Sequence, residues 1–308
     1  MNALRVGTRA SLLATTQTRW FVSKLLEVAP QLSVTEVLIK TEGDTTSTPL
    51  SESKTPGVFV SALRDALLAH EVDFVVHSMK DLPAKPHPQI LTACVPERED
   101  VRDALVSSGN RTLAELPPGA RVGTSSPRRA ASIRKMRPDL VVDSIRGNVD
   151  SRIQKVHSGE YEATLLALAG LRRIGREAEA CQLFDPFELV PAPGQGALSI
   201  ECRAEDKELI ALLAALDHPH TRITTTAERA VLVGLDAGCA TAIGAHANWN
   251  DAGLSLRVEL SVEQTGESLT LDADYKSAAA TPEAAEQLGL SLAERLLAAD
   301  IATRAAFR

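Results

Sequence analysis

Aromatic side chains are scarce in this 308-residue chain, 3% in all. Positive charge is short as well: 33 Lys and Arg against 40 Asp and Glu leave a net charge of −7, with an isoelectric point near 5.6. A nucleic-acid surface needs a broad basic field and stacking platforms, so both shortages argue against one. The apolar runs are short, so no membrane span is expected. The four cysteines (Cys94, Cys181, Cys202, Cys239) lie far apart and form no Cys-x-x-Cys pair. No second His stands at ligand spacing from His77, so no metal site is expected. The chain enters an expected strand by Leu4, leaving no room for a secretory leader, and a reducing cytoplasm fits best.

The content that is present, 44% hydrophobic and 24% charged, is that of an ordinary soluble globular protein, and the length allows two or three domains. Charge is unevenly spread. Between Arg121 and Lys155 nine Lys and Arg face three Asp, a net +6 that leaves −13 for the rest. Arg121-Val122-Gly123-Thr124 reads as a strand running into a turn, and Ser125-Ser126-Pro127 as a helix start with a hydroxyl cap and Pro in the first turn. Arg128 and Arg129 stand at that helix N-terminus, where cations oppose the dipole. A bound anion resolves the conflict; a solvated basic helix face is the plainer alternative.

Taken in order, Leu4–Val6, Val34–Ile39, Phe74–His77 and Ile90–Val95 read as strands. Helices are expected to about Leu26 and over Val58–His70. A polar loop, Thr41–Gly57, is long enough to cover a site. Glu97–Arg102 reads as a charged crossover into a second alternating region with strands at Val122, Leu140–Val142 and Thr164–Leu168. Pro191–Gly196 reads as the return, and Ala197–Cys202 as a strand rejoining the first sheet. The tetrapeptide RVGT occurs at Arg5–Thr8 and again at Arg121–Thr124, which suggests two similar lobes. Two crossings between lobes predict a hinge and a cleft. A helix over Thr224–Leu235, strands near Ile243–Trp249, Leu254–Val262 and Ser268–Tyr275, and a helix over Pro282–Ala299 suggest a small α+β domain. The expected division is residues 1–98 with 195–216, then 99–194, then 217–308. The fold class is α/β with mostly parallel sheets, whose ligands bind beyond the strands' carboxyl ends.

Asp81 follows such a strand end beside Ser78, Lys80 and His77, placed for catalysis or simply paired with Lys80. His77 alone reads as structural. Arg9, Arg146, Arg152 and Arg173 fall near strand-to-helix junctions, and several arginine forks together imply a ligand with several anionic groups. Cys239, in the turn Gly238-Cys239-Ala240, is either accessible or one more inert thiol. From residues alone, the chain is a two-lobed binder or transferase for a polycarboxylate or phosphate.

Several stretches in order resemble the hydroxymethylbilane synthase (porphobilinogen deaminase) family. They are Thr8–Ser11, Gly57–Val60, His77–Asp81, Glu97–Asp100, Gly123–Arg129, Arg146–Val149, Ala169–Leu171, Gly194–Ala197, Ala227–Arg229 and Gly238-Cys239. The resemblance implies two lobes like the type II periplasmic binding proteins, joined by a hinge, plus a small C-terminal α+β domain. It implies head-to-tail joining of four porphobilinogen units with loss of ammonia, then hydrolytic release of linear hydroxymethylbilane. It also implies a dipyrromethane cofactor in thioether linkage to Cys239, and partners limited to porphobilinogen and the growing polypyrrole, for a cytoplasmic monomer without membrane or nucleic acid. By the same resemblance Asp81 is catalytic. Ser78, Lys80, Thr124, Ser126, Arg128, Arg129 and Arg152 hold the cofactor, and Arg9, Ser11, Phe59, Arg146, Arg173 and Gln195 handle the substrate, with Gln195 at the hinge. One departure is Pro56 where many members carry Lys, with Lys54 two residues earlier. The rivals are a non-enzymatic two-lobed binder of a small polyanion and a phosphate-handling transferase using Thr124, Ser126 and Arg128.

Overall fold

The computed structural model describes residues 3–40, 60–238, 241–277 and 280–305. Phe59, Lys54, Cys239 and the Thr41–Gly57 loop lie outside them. The first strand, β1 (Ala3–Thr8), pairs in parallel with β2 (Ser33–Leu38) and β3 (Phe74–Ser78). Beyond β3 come β10 (Leu198–Arg203), antiparallel to it, and then β4 (Ile90–Cys94), giving the order β2-β1-β3-β10-β4. Helix α1 (Leu12–Val28) starts where the Ser11 hydroxyl accepts from Ala14 N at 3.3 Å, and it buries Phe21 and Leu25 on the sheet. Phe21 meets Phe74 edge-on, 6.0 Å between ring centroids. Helix α6 (Lys207–Ala214) packs with α1 on the face of Phe74 and Val76, and α2 (Ser61–Leu68) covers the opposite face against Val75.

The second sheet repeats the plan. β6 (Arg121–Gly123) lies parallel to β7 (Val141–Asp143) and β8 (Ala163–Ala167). β5 (Asp103–Ser107) runs antiparallel beside β8, and β9 (Gln182–Leu183) closes the order β7-β6-β8-β5-β9. Helices α3 (Pro127–Met136), α4 (Val149–His157) and α5 (Leu168–Arg173) follow β6, β7 and β8. Gly123 lies under Ile145 and Tyr161, where an added Cβ would come within 2.9 Å of both.

Past α7 (Pro219–Gly234), β11 (Ile243–Asn250), β12 (Gly253–Ser261) and β13 (Ser268–Tyr275) form an antiparallel sheet covered by α8 (Pro282–Leu297). Val258, Leu260, Leu292 and Leu296 are central to its core. The β12–β13 turn rests on α3: Gly266 has φ +75°, and a Cβ there would stand 2.7 Å from Lys135 N. Lys135 reaches Glu259 at 2.7 Å, and Arg134 donates to Glu263 O at 2.7 Å. By contacts, Met1–Glu99 with Ala197–Arg222 form one compact unit, and Asp100–Gly196 with Ile223–Arg308 another.

The α/β class is as expected, but each large sheet is mixed rather than mostly parallel. The residues after the charged crossover form β5, whose first residue is a fully buried Asp. Helix α6 was not expected, and α7 begins at Pro219, before Thr224, because a Pro in the first turn of a helix is no obstacle.

Candidate active site

In the first unit the carboxyl ends of β1 and β3 share one edge. From β1 come Arg9, half-buried, and Ser11, whose hydroxyl caps α1. From β3 come Ser78, in hydrogen-bond contact with the Gln17 amide at 2.9 Å, and then a single 3₁₀ turn, Met79–Asp81. Met79 and Leu82 are buried on either side of this turn, packed with Val60, Val95 and Ala197. Met79 N donates to Ala197 O at 3.0 Å, and Leu82 N donates to Met79 O. The turn is thus pinned at both ends while Asp81 is exposed and Lys80 half-buried. Below it His77 is buried, its Nε2 3.4 Å from Glu201, which also takes a two-point contact from Arg64 at 2.6 and 2.9 Å. Burial raises the Glu201 pKa, but Arg64 and His77 outweigh it and hold the carboxyl at about 2.

In the second unit the equivalent edge is basic. Thr124 is buried and accepts from Ser126 N, while the Ser126 hydroxyl accepts from Arg129 N and caps α3. The capped start with Pro127 in the first turn is as the sequence indicates. Arg146 follows β7; its Nη2 is buried and finds no hydrogen-bond partner among the described residues. Arg152 on α4 donates through Nε to Gly147 O, and Arg173 at the end of α5 donates to Gly196 O at 2.7 Å.

Arg128 and Arg129 are buried, and the chain itself supplies an anion for them. Asp103, the first residue of β5 and paired across the ladder with Ala167, sits at this same edge. Its Oδ1 accepts from Arg129 Nε and Nη2 at 3.0 and 2.6 Å, and its Oδ2 lies 2.7 Å from Arg128 Nη2. Gln195, fully buried, donates through Nε2 to Asp103 Oδ1 at 3.1 Å and to Val101 O at 2.7 Å. Arg128 also donates to Val190 O, and Arg129 to Leu165 O. Burial raises the Asp103 pKa, yet the two guanidiniums drive it well below the carboxylate range. The dipole conflict read from the sequence is therefore met partly from within.

Sequence reasoning missed Asp103 and the structural weight of Glu228. The signal for Asp103 was an acid heading the apolar run Ala104-Leu105-Val106, hidden behind the charged residues before it. Glu228, fully buried on α7, accepts from Gly194 N at 2.7 Å and Ala247 N at 2.9 Å. Its motif alone does not indicate backbone partners this far along the chain. Among the described residues no group of His, Cys, Asp and Glu could hold a metal.

An exposed carboxylate on a pinned turn can exchange protons, and arginine donors at the matching edge of a second sheet can bind carboxylates or phosphates. Two family models match the chain: porphobilinogen deaminase, dipyromethane cofactor binding domain, over residues 4–211, and porphobilinogen deaminase, C-terminal domain, over 222–298. A porphobilinogen deaminase of Acidothermus cellulolyticus is 45% identical over 304 residues, covering 97% of this chain and 90% of the relative. One of Thermobifida fusca is 50% identical over 246 residues, 80% and 77% of the respective chains. Among solved structures, a YaeC-family lipoprotein of Enterococcus faecalis is 14% identical, covers 72% of this chain and 94% of its own, and has a TM-score of 0.45. The chain belongs to the porphobilinogen deaminase family.

Proposed function

We propose that this chain is a hydroxymethylbilane synthase that joins four porphobilinogen molecules head to tail and then hydrolyses off the linear tetrapyrrole, with Asp81 as the catalytic group. The observation that carries this reading is the match to both parts of the family along residues 4–211 and 222–298. Asp81 assists departure of the substrate's aminomethyl group as ammonia and stabilises the cation left behind. Its exposure on a turn fixed by buried Met79 and Leu82 suits that role.

The dipyrromethane belongs at Cys239, through a thioether, and when bound it supplies a nucleophilic pyrrole end for elongation. Its acetate and propionate groups need fixed cationic donors. The unpartnered buried Arg146 Nη2 and Arg128 Nε fit the acidic side chains of such pyrroles. Ser78, Lys80, Thr124, Ser126, Arg128, Arg129 and Arg152 are assigned to the cofactor's carboxylates. Arg9, Ser11, Phe59, Arg146 and Arg173 are assigned to the incoming unit and lengthening chain, and Gln195 to the hinge. Three sheets with separate cores support three domains, 1–98 with 195–216, 99–194 and 217–308. Free thiols at Cys94, Cys181 and Cys202 support a cytoplasmic setting, and we take the working form to be a monomer, to be checked by sedimentation.

The decisive test is the intact mass of denatured protein with peptide mapping around Cys239. The expected result is an excess equal to two linked pyrroles on that cysteine, with consumption of porphobilinogen and release of ammonia. An unmodified mass that persists after incubation with porphobilinogen, without ammonia release, overturns the reading.

A further inference from the structure

Asp103 binds no substrate in the scheme above, yet it engages three side chains of the basic edge, Arg128, Arg129 and Gln195. It is fully buried, at the head of β5, and engages Arg128 and Arg129 from the first turn of α3. Two guanidiniums on one carboxylate leave the cluster one positive charge in excess, held at a helix N-terminus with Arg128 Nε still unpartnered. The same carboxylate accepts from Gln195. Gln195 lies in Pro193–Gly196, the segment that leads back toward Ala197. That segment is held from two further directions: Gly194 N donates to Glu228, and Arg173 donates to Gly196 O. Gly194 and Gly196 have φ +75° and +87°, so the path between them suits glycine, and Gln195 is the side chain through which it is fixed.

We propose that Asp103 is a positioning residue for the reaction: it sets the placement of Arg128 and Arg129, and through Gln195 it ties that placement to the return segment. The inference rests on the functional reading above. Without Asp103 the two guanidiniums repel each other in a buried site, and whatever anion they hold is met by arginines in altered rotamers. Without the Gln195 amide, the arginine pair loses its link through Asp103 to Gln195, while its ion pairs and the Arg128 bond to Val190 O stay intact.

The test is a double-mutant cycle on loaded enzyme with D103N, Q195M and the pair, reading kcat and KM for porphobilinogen, the cofactor mass on the protein, and the unfolding midpoint. D103N is expected to lower kcat/KM at least about thirtyfold, the lower end for breaking a buried hydrogen-bonded charge pair. D103E is expected to recover part of that loss. Q195M is expected to lower kcat/KM about tenfold, and the pair by clearly less than the product of the two losses, because both act through one carboxylate. Wild-type kcat and KM in D103N, with only a lower unfolding midpoint, would make Asp103 a structural residue and overturn the proposal. If D103N does not fold, Q195M decides alone, since it leaves both ion pairs in place: unchanged kcat and KM count against the proposal. Wild-type protein with neither the two-pyrrole mass nor turnover sinks the functional reading itself, a result distinct from failure of the variants.

Discussion

The two five-stranded sheets share a spatial strand order and carry the same tetrapeptide at its second position, in β1 and at β6 with Thr124 just past it, yet their edges carry different side chains. Register makes the comparison residue by residue. Val6 and Gly7 pair with Phe74 and Val75 in the first sheet; Val122 and Gly123 pair with Ala163 and Thr164 in the second. Even the flanks agree: Arg5 N binds the Asp73 carboxylate and Arg121 N that of Glu162, each acid standing just before the third strand. Counted forward from that register, Asp81 corresponds to Gly170, Lys80 to Ala169 and Ser78 to Ala167. The first sheet thus ends in a polar turn where the second continues into the apolar helix α5. In each sheet a buried carboxylate on the antiparallel fourth strand meets an arginine of a flanking helix, Glu201 with Arg64 and Asp103 with Arg128 and Arg129. One backbone plan carries an exposed carboxylate turn at the edge of the first sheet and arginine donors at that of the second, because the difference lies in side chains at the strand ends.

The largest effect expected is from Asp81→Asn, which removes the carboxylate that the second sheet lacks. It should lower kcat at least about 100-fold, the lower end for a general acid–base group, while the cofactor mass stays on the protein. Near-normal turnover in that variant would take the catalytic role from Asp81 and erase the functional contrast between the sheets.

Glu201→Gln tests the buried pair of the first sheet. Losing it leaves Arg64 without its ionic partner and should cost about 3–5 kcal/mol in urea unfolding at neutral pH. Because folding depresses the Glu201 pKa from 4.5 to about 2, the stability it contributes is complete above about 4.5 and is lost as pH falls toward 2. The gap between wild type and variant should therefore narrow through that window and close at its acid end. A gap independent of pH would mean that packing, not charge, holds β10 to α2.

Arg146→Ala tests the donor left open in the second sheet. A charge-assisted bond is worth about 1.5–3 kcal/mol, so KM for porphobilinogen should rise roughly tenfold to a hundredfold with little change in the unfolding midpoint. An unchanged KM would place Arg146 outside the anion-holding set.

The smallest effect concerns thiols. Burial pushes Cys94 to about 12 and Cys202 to about 11, so neither should react with a maleimide in native protein at neutral pH, when timed labelling is followed by peptide mapping. Rapid modification of either would show that the first sheet opens.

Much of this was legible in the chain before any coordinates. Alternating elements gave the α/β class; Ser126-Pro127 marked the start of α3; the RVGT repeat marked equivalent second strands; the residues after Phe74–His77 marked the polar turn. Asp103 was not legible, because a lone acid beside a charged crossover looks solvated until Arg128 and Arg129 fold against it. The antiparallel placement of β5 and β10 escaped for a related reason: strand direction depends on pairing with residues far along the chain, and local periodicity carries no information about it.

By itself, then, the sequence determined most of the strands and helices, though not β5 or α6, together with where the basic residues gather and which family the chain belongs to, since these depend on local spacing and identity. Tertiary structure alone decided which charges neutralise one another. Arg128 and Arg129 look like two free cations in a row, and they become a half-neutralised pair only because β5 brings a buried carboxylate from 25 and 26 positions earlier. Burial in a low-dielectric interior makes that encounter strong, and only the folded chain creates such an interior.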